Sequence, residues 1–146
     1  MKAIDIAKGV LELFQDDKAW LQGDFAGFYV EENGETYVDT FTTPDSDDAT
    51  CYCLQGAVDK VAGYSFFSND HGDDVIEEQP EIAKVAITMM TVLEEHHEAV
   101  DREDVKRVSD RFEPIVSWND RTGRTVAEVR EFVREVIVRL EKETAE

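Results

Sequence analysis

The sequence predicts a mainly α fold with a small antiparallel β-hairpin, an α+β chain of about five helical segments in one compact domain over residues 1–146. Three observations carry this. Apolar residues recur at helical spacing in five stretches, Asn33-Gly34 separates two β-prone runs, and Thr125-x-x-Glu128 opens the longest amphipathic segment.

Taken in order, Ile4, Ala7, Val10, Leu11 and Phe14 form one face of a first helix that fades at Gln15-Asp16-Asp17. Trp20-Leu21-Gln22-Gly23-Asp24-Phe25-Ala26 is a connector with two large apolar anchors. Phe28–Glu32 and Glu35–Phe41 are strands on either side of Asn33-Gly34, a pair that accepts the positive φ angles of a tight hairpin turn. A two-residue turn sets Glu32 opposite Glu35, and facing like charges are unfavourable, so a longer loop is expected. Thr42–Asp48 reads as an acidic, turn-rich loop. From about Thr50 to Gly63 a second helix places Cys53, Leu54, Ala57, Val58, Val61 and Ala62 at helical spacing. Tyr64–Glu78 is a long polar connection, and Pro80 suits the first position of a third helix buried through Ile82, Val85, Ala86, Met89, Met90 and Leu93. Asp101 is placed as the N-cap of a short fourth helix, stapled by Val100 and Val105 and ended by Pro114. Ile115–Trp118 then reads as extended. Asn119-Asp120 and Gly123 form a polar turn, and the Thr125–Glu128 capping box starts a last helix to about Glu143. Its apolar face is Val126, Val129, Phe132, Val133, Val136, Ile137 and Leu140.

A chain of 146 residues buries roughly 68–70% of its unfolded surface, and 42% hydrophobic residues suffice for one core. The charge is extreme: 34 acidic against 15 basic side chains, net −19. Such a field repels nucleic acid and anionic membranes, so neither is expected as a direct partner. The excess is uneven, with 22 acidic and 5 basic residues in the first hundred positions, while all eight Arg lie from Arg102 to Arg139. An acidic face of this kind suits a basic protein partner; its plainest alternative is solubility or adaptation to a salty cytoplasm. Without a membrane-length apolar run or a signal-peptide core, the chain reads as cytoplasmic.

Three separated segments stand out: Trp20-Leu21-Gln22-Gly23 with Phe25-Ala26; Cys53-Leu54-Gln55-Gly56-Ala57-Val58; and Trp118-Asn119-Asp120 with Gly123-Arg124-Thr125 and Glu128-Val129. In this order they resemble a functionally uncharacterised family of small proteins from bacteria, notably actinobacteria, and their phages. The resemblance spans about residues 1–140 and implies a shared fold without implying an activity. Within that pattern, this chain is distinguished by its acidity and by the Tyr64–Glu78 stretch.

Residue types able to carry chemistry are sparse. Glu94-x-x-His97 has the spacing of carboxylate-bridged metal helices but lacks the second such pair. Cys51, Cys53, His71 and Asp73 could supply zinc ligands on paper, yet positions i and i+2 of a helix point apart. Asp45-x-Asp47-Asp48 and Asp70-x-x-Asp73-Asp74 are oxygen-rich but do not form a calcium loop. No metal or cofactor is therefore expected. Two function classes remain. The first is a non-enzymatic acidic interaction module binding a basic protein partner through Glu31, Glu32, Glu35, Asp45, Asp47, Asp48, Asp73 and Asp74, as a phage-related modulator of a host protein or a mimic of nucleic-acid charge. The second is a small enzyme or ligand binder using Trp118, Asn119, Asp120, Arg124 and Cys53. A deep pocket lined by Trp118, Asp120 and Arg124 favours the second; an acidic face without one favours the first.

Overall fold

The computed structural model describes residues 1–63, 79–96 and 113–145. Along the described residues run helix α1 (Ala3–Leu13), a 3₁₀ turn (Asp17–Ala19), strands β1 (Ala26–Glu32), β2 (Glu35–Asp39) and β3 (Cys51–Tyr52), then helices α2 (Leu54–Ala62), α3 (Pro80–Glu95), α4 (Glu113–Asn119) and α5 (Val126–Ala145). The strands form an antiparallel sheet of order β2-β1-β3. The fold is α+β, as the sequence predicts.

The core lies between the helices. α1 packs on α2, α3 and α5, and α3 packs on α5. Ile6, Val10, Phe14, Leu54, Ile82, Met89, Met90, Leu93, Ile115 and Leu140 are fully buried within it. In α1 the buried line runs through Ala3, Ile6, Ala7 and Val10, while Ile4 and Leu11 are only partly covered. The stripe therefore sits slightly off the one expected, because α1 is covered on three sides. Both ends of α1 are satisfied from other elements. Glu81 on α3 accepts the Ala3 N–H at 2.7 Å, and Arg130 on α5 donates its Nε–H to the Phe14 carbonyl at 2.6 Å while pairing with Asp17. These contacts place a carboxylate at the positive end of the helix dipole and a guanidinium at its negative end.

Three expectations change. The hairpin closes with the two-residue turn after all: Asn33 and Gly34 have φ of 55° and 80°, and Glu32 pairs with Glu35. Both carboxylates are exposed to screening solvent, and Glu32 accepts from the Tyr37 hydroxyl at 3.2 Å, so the turn's geometric preference prevails over repulsion. The second helix begins at Leu54, not near Thr50, because Cys51 and Tyr52 pair with Gly27 and Ala26 as β3. Ile115–Trp118 is helical rather than extended; Pro114 lies in the first turn of α4, where its missing N–H has no intrahelical partner to lose. The expected helix between Val100 and Phe112 lies outside the described residues, as do His71, Asp73, Asp74 and His97. Five helices stand among the described residues, and the fourth of them is not one the sequence predicts. Among the described residues, no helix is long and apolar enough to cross a membrane.

Candidate functional site: the Asn119 junction and the acidic hairpin

Asn119, the last residue of α4, is fully buried. Its Oδ1 accepts from Trp20 Nε1 at 2.7 Å and from the Leu54 N–H at 3.3 Å. Its Nδ2 donates to the Leu21 carbonyl at 3.0 Å and to Asp120 Oδ1 at 2.9 Å. Asp120 Oδ1 also accepts the Gly23 N–H at 3.0 Å, and Gln22 Nε2 donates to the carbonyls of Asn119 and Arg121. The three segments that stand out in the sequence therefore meet at one side-chain amide. Trp20–Gly23, the start of α2 and the turn after α4 are tied together there, and both donors and both acceptor positions of the amide are used. What this arrangement does is hold elements in place.

Cys53 closes the same junction as the N-cap of α2, its Sγ accepting from the Gly56 N–H at 3.4 Å. Burial pushes its thiol up to about 12, against the pull of the Gly56 and Gln55 N–H groups. Cys51 is buried as well, and desolvation raises its thiol too. The two sulfurs sit on a strand and a cap rather than along one helix, so the helical spacing argument does not apply. Neither thiol should react with an alkylating reagent at pH 8 while the protein is folded, and both should react on denaturation. Rapid labelling of the native protein would contradict this assignment.

Trp118 and Arg124 face the opposite way. The Arg124 guanidinium carbon lies 4.0 Å above the Trp118 ring, and Phe132 packs beside that ring with centroids 4.7 Å apart. Arg124 donates Nε–H to the Trp118 carbonyl at 3.1 Å and Nη1–H to Glu128 at 2.9 Å; its buried Nη2 has no hydrogen-bond partner among the described residues. These side chains edge an open groove of about 280 Å³ shared with His96, Glu128, Glu131 and Glu135. Asp120 does not line it. The tryptophan, amide, carboxylate and guanidinium that adjoin in sequence are thus divided between a closed junction and an open, largely acidic groove. The groove's carboxylates are engaged: Glu128 with Arg124, Glu131 with Arg134 at 3.2 Å, and Glu135 with His96 at 2.9 Å.

The capping box is present. Thr125 Oγ1 accepts the Glu128 N–H at 3.2 Å, and Glu128 Oε1 accepts the Thr125 N–H at 3.1 Å. That backbone bond, with the Thr125 hydroxyl and Arg124, lowers the Glu128 carboxyl from its ordinary value. The box is therefore complete above the usual carboxylate range and is lost as pH falls through the lowered value. Thr125→Ala should lower stability by about 1 kcal/mol, as should Asp120→Ala, which releases the Gly23 N–H. A thermal midpoint unchanged in either variant would remove the structural role given to that residue.

The acidic face is carried mainly by the hairpin and the loop after it. Glu31, Glu32, Glu35, Asp45, Asp47 and Asp48 are all exposed. Several also stabilise their own segment. Asp48 Oδ1 accepts from the hydroxyls of Thr42 and Ser46, bonds that hold its carboxyl below the usual value. Asp45 accepts from the Thr43 hydroxyl at 2.6 Å, and Asp39 accepts the Phe41 N–H at 2.9 Å. Composition gave no sign of this loop-ordering role. Phe41 is 95% exposed, and Tyr29 and Tyr37 are 42% and 46% exposed on the same hairpin unit. Among the described residues no three His, Cys, Asp or Glu side chains cluster as a metal site.

Comparisons with curated proteins and with solved structures return no match. The model of a family of unknown function, DUF6197, matches residues 2–139, nearly the whole length in which the three segments lie. The chain belongs to that family.

Proposed function

We propose that this protein is a non-enzymatic interaction module that binds a basic protein partner through the β1–β2 hairpin and the loop to Asp48. One observation carries the reading. From Glu31 to Asp48 the chain has seven acidic residues and no Lys or Arg, and it surrounds a phenylalanine that is 95% exposed. The exposed carboxylates alone serve solubility; Phe41 with the partly exposed Tyr29 and Tyr37 adds the aromatic area in which partner surfaces are enriched. The buried residues of the Asn119 junction fit the reading as scaffold, and the groove at Trp118 is edged by carboxylates that already have partners, Arg124, Arg134 and the His96 ring. The bacterial and phage distribution implied by the motif resemblance would suit a modulator of a host protein, with nucleic-acid charge mimicry as one form of it.

Charge-steered binding has a measurable signature: an association rate that falls steeply with added salt. The test is affinity capture from a bacterial lysate with four forms of the protein: native, native in high salt, hairpin-neutralised (Glu31→Gln, Glu35→Gln, Asp45→Asn, Asp47→Asn), and neutralised elsewhere (Asp5→Asn, Glu12→Gln, Glu141→Gln, Glu143→Gln). The expected result is a basic protein retained by the native form and the second variant, and lost from the hairpin variant and in high salt. If both variants capture equally, the acidic surface serves solubility and the reading fails.

A further inference from the structure

The sheet order β2-β1-β3 leaves β2 with one edge unpaired among the described residues. In a hairpin closed by a two-residue turn, Glu32 and Glu35 form the first hydrogen-bonded pair, and pairs alternate from there. Glu35, Tyr37 and Asp39 therefore direct their backbone groups to β1, while Thr36 and Val38 direct theirs outward. Free edges of this kind are usually blunted by charged side chains, lysine above all, by proline or by a bulge, and the charges of β2 are acidic, which turns away acidic strands but not basic ones. β2 reads Glu-Thr-Tyr-Val-Asp, without Lys or Pro, and its pairing with β1 runs one-to-one from Phe28↔Asp39 to Glu32↔Glu35 without a bulge. Two residues past its end stands Phe41.

Building on the interaction reading above, we infer that the outer edge of β2 accepts an extended, lysine- or arginine-rich segment of the partner as an added strand, with Phe41 as its apolar contact. Charge decides the occupant. A second copy of this chain would bring its own acidic edge, with a net −19 on each side. A basic strand instead sets alternate side chains beside Glu35, Tyr37 and Asp39, which share one face of the sheet. Two carboxylates flanking an exposed aromatic ring suit cations at every second position of that strand, through ion pairs at the ends and a cation–π contact at Tyr37. The backbone bonds supply affinity independent of sequence, and the alternation of basic residues supplies specificity.

The test uses the full-length protein with a nine-residue peptide alternating lysine and threonine, and its glutamate–threonine counterpart. Amide hydrogen exchange is followed by NMR. On binding the lysine peptide, the Thr36 and Val38 amides should slow at least tenfold, while amides on the helices are unchanged. Thr36→Pro removes one outward N–H without touching the pairing with β1 and should weaken binding about tenfold. Phe41→Ser, which disturbs no packing, should also weaken it. If the lysine peptide binds in a salt-dependent way but Thr36 and Val38 exchange as before, strand addition is overturned and the acidic interaction reading stands. If the lysine peptide binds no better than the glutamate peptide, both fall together.

Discussion

Asn119→Ala should destabilise the protein by about 3–5 kcal/mol, a large fraction of the roughly 5–15 kcal/mol that holds a domain of this size together. The cost comes from the groups left stranded. Removing the amide of the fully buried Asn119 leaves the buried Leu54 N–H and the part-buried Trp20 indole N–H and Leu21 carbonyl without their partner. Each stranded group costs about 1–3 kcal/mol, and the values overlap because the three share one partner. Asn119→Asp separates hydrogen bonding from volume. It keeps the shape and an acceptor for Trp20, but loses the donor to Leu21 and places a second carboxylate against Asp120. It should therefore be nearly as damaging as alanine. Trp20→Phe removes one bond and should cost about 1 kcal/mol from that bond alone. Denaturant unfolding of the single and double variants measures the coupling. A loss below about 1 kcal/mol for Asn119→Ala would mean the junction is incidental to the fold.

Gly56→Ala is the second large effect, and here two rules give opposite signs. Alanine is favoured over glycine in a helix by about 1 kcal/mol, which by itself predicts stabilisation. A β-carbon at Gly56, however, would lie 1.9 Å from the Phe25 carbonyl oxygen and 2.9 Å from its carbon. Both atoms are backbone, so relief requires moving the first turn of α2 away from the connector. That shift would also strain the Cys53 cap and the Leu54 bond to Asn119. Overpacking costs typically about 1–3 kcal/mol and more where backbone must move, so the steric term dominates and a net loss of about 3 kcal/mol is expected. Gly63→Ala calibrates the result. Its β-carbon would meet nothing within 4 Å among the described residues, but its φ of 70° is left-handed, so about 1 kcal/mol is expected. A Gly56→Ala protein as stable as the native one would show that α2 and the connector do not meet this closely.

What the sequence by itself determined is the local chemistry of this protein. Asn33-Gly34 specified its turn despite the opposed Glu32 and Glu35, since φ preferences act within two residues while exposed charges are screened by solvent. Thr125 and Glu128 specified the start of α5, and the apolar stripes specified which helices are buried, because both depend on spacings of three and four residues. Tertiary structure decided the rest. β3 is two residues long and exists only because β1 lies beside it. The proline read as an end lies in the first turn of a new helix, and only packing against α2 and α3 gives Ile115 a place in the core. Trp118, Asn119, Asp120 and Arg124 adjoin in the chain yet serve two environments, since successive residues at a helix end point in different directions. The sequence marked Trp20, Gly56 and Asn119 as notable but gave no measure of what joins them. Their partners stand as many as 99 positions apart, and only the assembled helices bring an indole, an amide and a helix start within hydrogen-bond reach.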